Sequence, residues 1–439
     1  MGHAGTELGA PAIGGERSED TFRTLAALLR RDLDFGSSDS GYASHAIHPF
    51  AAKFPPQIPR LFIEELTQSG DSVLDPMAGS GTTIVEALML RREAFGFDID
   101  PLAVRLCTVK TTWLDPVDLQ RRCLAIIEDA LDMGKSGSHL RRELETRYDA
   151  ETRKFIDYWF LPETQLELLA LVLAIERVSE PAPRGFFELV LSSTIIAKTG
   201  GVSMARDLAH SRPHRDPAKN PRNAITEFRL RSAKALKKFQ NLPQRVKKVF
   251  VAERDARNLP LPTGSIDLVV TSPPYANALD YMRAHKFSLA WLGYPLRALS
   301  ALRGRYIGSE NLHGGPTGEL PRRSAAAVRA LAERDARKAK VLAKYLGEMR
   351  DALAETNRVL KPGKGAVLVV GPSIMRGVPI LTHEYLAEIG SSVGFRLAGV
   401  QKRRIDRDRR MLPVSLDRNG HSTIEQRMHE EYVVGLVKE

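Results

Sequence analysis

Apolar positions follow two rhythms along the chain. Residues 59–66 carry them at helical spacing, 72–74 form a short apolar run, 82–90 return to helical spacing, and 94–97 form a second run. That order predicts helix, strand, helix, strand, the unit of a parallel α/β sheet. From 116 to about 240 long Leu- and Arg-rich stretches take over, among them 165–178 and 186–196, with helical spacing and no strand alternation. Strands return at 246–251 and 266–270, followed by a helix over 279–292 and a Gly/Pro- and Arg-rich stretch over 294–323 that reads as a long surface loop. Residues 325–360 read as one helix stopped by Lys361-Pro362-Gly363. A buried strand at 366–370, a helix at 378–389 and two strands at 395–400 and 432–437 close the pattern. Ahead of it lie an amphipathic helix at 21–33, a Ser/Gly loop at 36–41 and a first twenty residues that read as a loose tail without the apolar core of a signal peptide.

This divides the chain into an N-terminal tail and helix (1–44), a first α/β part (45–114), a helical insert (115–245) and a second α/β part (246–439). A length of 439 residues accommodates two or three cores. No apolar run approaches the roughly 20 residues that span a bilayer, so a soluble protein is expected. Two cysteines, Cys107 and Cys123, exclude a disulfide framework and a multi-cysteine zinc site, as in a reduced cytoplasmic protein. The net charge of +11 calls for an anionic partner, and its distribution is uneven: residues 199–248 hold thirteen Lys/Arg against three acidic residues. Within that window Arg206, Arg212, Arg215, Lys219 and Arg222 are the candidate phosphate contacts, with a solvated helix face as the alternative. Trp113, Trp159 and Trp291 sit in apolar helical contexts and are expected in the core.

Two motifs carry chemistry. In Asp75-Pro76-Met77-Ala78-Gly79-Ser80-Gly81-Thr82-Thr83 a strand runs into a glycine turn and a helix N-terminus, a geometry that suits a nucleotide-like cofactor. It is neither a Walker A loop nor a full dinucleotide fingerprint. About twenty residues on, Asp98-Ile99 ends the second strand, and Asp98 is suited to accept ribose hydroxyls, a helix N-cap being its alternative reading. The second motif, Thr271-Ser272-Pro273-Pro274-Tyr275, is a buried strand ending in a stiff turn whose carbonyls are acceptors and whose ring can stack on a planar base.

Together the two motifs resemble the signature pair of the amino-methylating DNA methyltransferases. The T-S-P-P-Y form is similar to the cytosine-N4 branch; the adenine-N6 branch more often has Asp or Asn at the position of Ser272. His48, Phe50, Lys53 and Phe54 resemble the family's segment that closes over the methionine part of the cofactor, and Asp255-Ala256 its position beside the cofactor adenine. The resemblance implies a Rossmann-like class I fold: a mainly parallel seven-stranded sheet with one antiparallel strand, here with a helical insert for target recognition. It also implies S-adenosyl-L-methionine as cofactor, double-stranded DNA as partner with a restriction endonuclease as counterpart, and methyl transfer to the N4 amine of a flipped cytosine. Adenine-N6 transfer and a non-catalytic DNA-binding protein of the same fold are the alternatives. Ring-carbon methylation is excluded, because neither Cys107, after Leu106, nor Cys123, after Arg122, has the preceding proline usual for that nucleophile.

Overall fold

The computed structural model describes residues 13–36, 38–51, 53–135, 137–197, 201–208, 213–239, 248–276, 280–312, 318–405 and 428–439. Its centre is a seven-stranded sheet of β1 (Ser72–Asp75), β2 (Glu93–Asp98), β3 (Val249–Glu253), β4 (Ile266–Thr271), β5 (Leu360–Val370), β6 (Phe395–Arg404) and β7 (Glu430–Lys438). The spatial order is β3-β2-β1-β4-β5-β7-β6. Pairings from β3 through β5 are parallel, and β7 runs antiparallel to both β5 and β6. The expected sheet, with one antiparallel strand, is present.

Alternation along the strands sorts the two faces. Val73, Leu268, Val270, Val367 and Val369 face one apolar cluster, while Leu74, Val269, Leu368 and Val370 face another. β1 and β4 are buried throughout, as strands covered on both sides must be. Helices α1 (Ile13–Leu28), α2 (Gln57–Leu66) and α3 (Thr82–Met89) contribute to the first cluster, followed in the chain by α4 (Pro101–Thr111). The insert consists of α5 (Pro116–Lys135), α6 (Gly137–Arg147), α7 (Ala150–Trp159), α8 (Pro162–Glu176), α9 (Pro181–Ile195) and α10 (Ala224–Phe239), with a two-residue ladder between Ala205–Arg206 and His214–Arg215. Then come α11 (Met282–Trp291), α12 (Leu296–Arg305), α13 (Arg322–Ala332), α14 (Ala336–Val359) and α15 (Thr382–Ser392), the last three backing the second cluster.

The helical insert is present, but it has no core of its own. Leu168, Phe187 and Phe228 from the insert share one apolar cluster with Leu102 and Leu106 of α4 and Phe287 and Trp291 of α11. The insert is therefore packed against the sheet domain rather than hung from it.

Several sequence expectations are corrected. Residues 13–20 belong to α1 rather than to a loose tail, and residues 1–12 lie outside the described residues. The stretch 294–323 is not all loop, because α12 begins after Pro295 and buries Leu296 and Leu299, one helical turn apart. The helix expected over 325–360 is two: it breaks at Glu333–Asp335, where the Asp335 side chain accepts the Lys338 N–H and starts α14. α14 ends at Val359, as expected ahead of Lys361-Pro362-Gly363, and that tripeptide itself lies in β5. Val378–Ile380 forms a short hairpin with Ser373–Met375 and only then does α15 begin. Trp291 is fully buried and Trp159 half-buried, but Trp113 is exposed.

Candidate active site

The cofactor turn follows from backbone geometry. Gly79 and Gly81 have φ of +48° and +74°, the left-handed region that glycine enters without strain. Gly81 is also crowded: a Cβ there would lie 2.9 Å from Cys107 Sγ and 3.2 Å from its Cα. The Ala78 N–H donates to Phe97 O at 2.8 Å, which ties the turn to the end of β2. Asp98 completes it, with Oδ2 accepting the Gly79 N–H at 2.8 Å and Oδ1 the Asp100 N–H at 2.9 Å. Desolvation, then the neighbouring Asp100 carboxylate, pushes Asp98 up to about 7. Asp75 is buried beneath the turn, accepts the Met77 N–H at 3.2 Å, and is pushed up to about 6 by burial. Asp98 is not a helix cap; that role falls to Asp100, whose Oδ1 accepts the Leu102 N–H at 2.8 Å at the start of α4.

The second turn leaves β4 beside β5. Ser272 Oγ donates to Val369 O at 3.0 Å, so its proton is committed to the sheet and its lone pairs are left as acceptors. The Pro274 carbonyl accepts the Tyr345 hydroxyl at 2.8 Å, which fixes the turn from α14. The Tyr275 hydroxyl donates to Glu431 Oε1 at 2.9 Å.

Both turns open on one cavity. Of the residues expected at the site, Phe50, Lys53, Phe54, Pro76, Met77, Ala78, Gly79, Ser80, Asp98, Ile99, Asp255, Ala256, Ser272, Pro273, Pro274 and Tyr275 line it. Six do not. His48 is buried with Nε2 2.9 Å from Ser192 Oγ, so it ties its segment to α9 instead of facing a ligand. Asp75, Gly81, Thr82, Thr83 and Thr271 support the turns from behind; Thr83 Oγ1, for one, donates to Val270 O at 3.0 Å.

The sequence reading missed Asp100, Arg254, Tyr281, Arg305, Tyr306 and Ile307 on the cavity wall. Arg305 and Tyr306 come from the end of α12, which Leu296 and Leu299 would have signalled. Asp100 Oδ2 lies 2.5 Å from His285 Nδ1 of α11, a pairing between distant segments that no local motif announces. Tyr281 stacks on Phe50, with ring centroids 5.3 Å apart.

The candidate phosphate contacts are largely engaged within the protein. Arg206 is paired with Asp216, Arg215 Nε donates to Tyr158 O at 2.9 Å, and Arg222 Nη1 donates to Glu227 Oε1 at 2.6 Å. Lys219 is half-buried and donates to Ala205 O at 2.6 Å, so it pins the two-residue ladder. Arg212 lies outside the described residues. Arg229, Lys234, Lys237 and Lys238 are the exposed cations of α10, and Lys238 Nζ donates to Gly41 O at 2.9 Å.

Residues 32–109, which contain the cofactor turn and Asp98, match the model of a DNA methylase family. The Type II methyltransferase M.MvaI of Kocuria varians is 23% identical over 394 residues, covering 81% of this chain and 83% of its own. The Type II methyltransferase M.BsoBI of Geobacillus stearothermophilus is 26% identical over 270 residues, 57% of this chain and about half (53%) of that relative. Among solved structures, a TehB-like SAM-dependent methyltransferase from Corynebacterium glutamicum aligns over 97% of each chain at 10% identity with a TM-score of 0.28, too slight a likeness to argue from. The chain is thus similar to a DNA methylase family over its cofactor unit and to a Type II methyltransferase along four-fifths of its sequence.

Proposed function

We propose that the protein transfers a methyl group from S-adenosylmethionine to an exocyclic amine in duplex DNA, the N4 amine of a flipped cytosine. The observation that carries this reading is the shared cavity, with a nucleotide-type turn on one wall and a hydroxyl-carbonyl-aromatic turn on another. The residues fit the cofactor: Gly79 lets a ligand approach the backbone, with Gly81 shaping the turn behind it, Asp98 faces the cavity and would accept ribose hydroxyls, and Asp255-Ala256 would lie beside the adenine. When bound, the cofactor supplies an electrophilic methyl on a sulfonium.

The amine of cytosine is a weak nucleophile because its lone pair is shared with the ring. Ser272 Oγ, its proton held by Val369 O, accepts one amine N–H, and the Pro273 carbonyl accepts the other. Both bonds would draw electron density onto nitrogen; as the N–C bond formed, the methyl–sulfur bond would break with its electron pair left on sulfur, and the surplus N–H proton would pass to solvent water. Tyr275 supplies the stacking face, and Phe50 and Tyr281 close the wall against water. The base must leave the helix because its amine is buried in the stack. The exposed cations of α10 supply the positive face toward phosphates, and the Type II relatives fit a restriction endonuclease counterpart.

The test is incubation with unmethylated genomic DNA and S-adenosylmethionine labelled in its methyl group, followed by nucleoside mass spectrometry. Labelled N4-methylcytosine is expected. Labelled N6-methyladenine would replace the target base, and no labelled nucleoside would overturn the reading.

A further inference from the structure

Tyr275 reaches Glu431 across 156 positions of sequence, and the contact is one link of a buried chain. Glu431 Oε2 pairs with Arg403 Nη1, and Arg403 and Glu431 are direct cross-strand partners in the β6/β7 ladder. Arg403 is itself enclosed, with its side chain 4% exposed. Its Nε donates to Leu33 O at 2.9 Å and its Nη2 to Asp34 O at 3.1 Å. The Asp34 side chain in turn accepts the Arg404 N–H at 2.6 Å. A guanidinium fixed at three points therefore holds the carboxylate that holds the tyrosine.

The ring has a second restraint. A Cβ on Gly371 would lie 2.7 Å from Tyr275 Cε2 and 2.3 Å from Met428 Sδ, so the missing side chain is the space in which the ring edge rests. Burial raises the Tyr275 pKa well above the ordinary tyrosine value, so the hydroxyl keeps its proton and is the donor to Glu431.

We propose that Glu431, locked by Arg403, is a positioning residue for Tyr275: it fixes the ring plane against which the target base stacks, and so couples the terminal β6/β7 hairpin to methyl transfer. This rests on the function proposed above. A ring free to rotate about its side-chain torsions would sample the stacking plane only part of the time, and a hydrogen bond at its far end removes that freedom. Among the described residues, no hydrogen bond or ion pair of Arg403 or Glu431 reaches the cofactor turn, so the effect belongs to transfer and not to cofactor binding.

The test is a double-mutant cycle in the full chain, with initial rates on unmethylated genomic DNA, cofactor affinity by calorimetry and melting temperature for each variant. Glu431→Ala is expected to lower kcat about tenfold with the cofactor Kd unchanged, the size of one lost charge-assisted hydrogen bond. Glu431→Gln, which still accepts from the hydroxyl, should recover most of that loss. In a Tyr275→Phe background Glu431→Ala should have little further effect on kcat, because the group it acts through is gone. An equal loss in both backgrounds, tracking the melting temperature, would mean that the pair only braces the hairpin and would overturn the proposal. Wild-type kcat in Glu431→Ala would do the same. Should the wild-type protein label no DNA, the functional reading fails first, and Tyr275 has no base to meet.

Discussion

The two walls of the cavity are built in different ways. The cofactor wall comes mostly from one contiguous unit, β1, the glycine turn, α3 and β2, with Asp98 about twenty residues from Asp75. The target wall is assembled from pieces far apart in sequence: Ser272 and Tyr275 after β4, Val369 and Gly371 at the end of β5, Tyr345 in α14, and Glu431 in β7. A contiguous unit can be positioned by its own backbone hydrogen bonds. A dispersed one depends on the register of the sheet, so its precision rests on side chains that no local pattern marks.

The largest expected effects separate the two walls directly. Ser272→Ala removes the acceptor proposed for the amine and should lower kcat by about 10²–10³-fold, comparable to losing a group that stabilises a developing charge, while cofactor affinity is unchanged. Asp98→Ala should do the reverse, weakening the cofactor about tenfold or more with a smaller change in kcat at saturation. Parallel calorimetry and steady-state kinetics decide it. Equal loss of both parameters in both variants would mean that the walls are one mechanical unit.

Two glycines sharpen the contrast at smaller scale. Gly81→Ala places a methyl group against Cys107 in a backbone conformation that side chains rarely adopt, and should cost cofactor affinity and melting temperature together. Gly371 has no such conformational demand, so Gly371→Ala should fold, displace the Tyr275 ring and lower kcat several-fold with cofactor affinity retained. Loss of cofactor binding in Gly371→Ala would break the division between the walls.

That construction also explains what could be read from the sequence. The turn at Asp75–Thr83, Asp98 and the Ser272–Tyr275 turn were legible because each is a strand end with local backbone demands. Sequence groups His48 with its cavity-facing neighbours Phe50, Lys53 and Phe54, and only the packing of α9 shows that its own ring points to Ser192. Charge density marks Arg206, Arg215, Lys219 and Arg222, but it does not distinguish a phosphate contact from a carbonyl or carboxylate partner such as Ala205 O or Glu227. The sheet order was implied by family resemblance, since periodicity reports that a strand exists and not what it pairs with. The single core shared by the insert, α4 and α11 is likewise a property of packing and left no mark in composition.

The smallest effect concerns protons on the cofactor wall. Asp98 is raised to about 7 and Asp75 to about 6, both by desolvation first. For a carboxyl whose folded pKa lies above its unfolded value, the stabilising contribution is complete below the unfolded pKa and is lost as pH rises through the folded one. The cofactor-free protein should therefore lose stability between about pH 4 and 7, as both carboxyls ionise in an enclosed site. Ligand hydroxyls that donate to Asp98 favour its ionised form, so binding should reverse that trend. Cofactor affinity should rise several-fold from pH 6 to 8, and the melting-temperature gain on adding cofactor should grow over the same interval. Asp75 does not line the cavity and already accepts the Met77 N–H, so its titration near 6 changes stability more than affinity. In Asp98→Asn, which has no proton to lose, the affinity should be flat across that range. A flat wild-type profile would remove Asp98 as the ribose acceptor and leave it as the residue that holds the Gly79 and Asp100 amides in place.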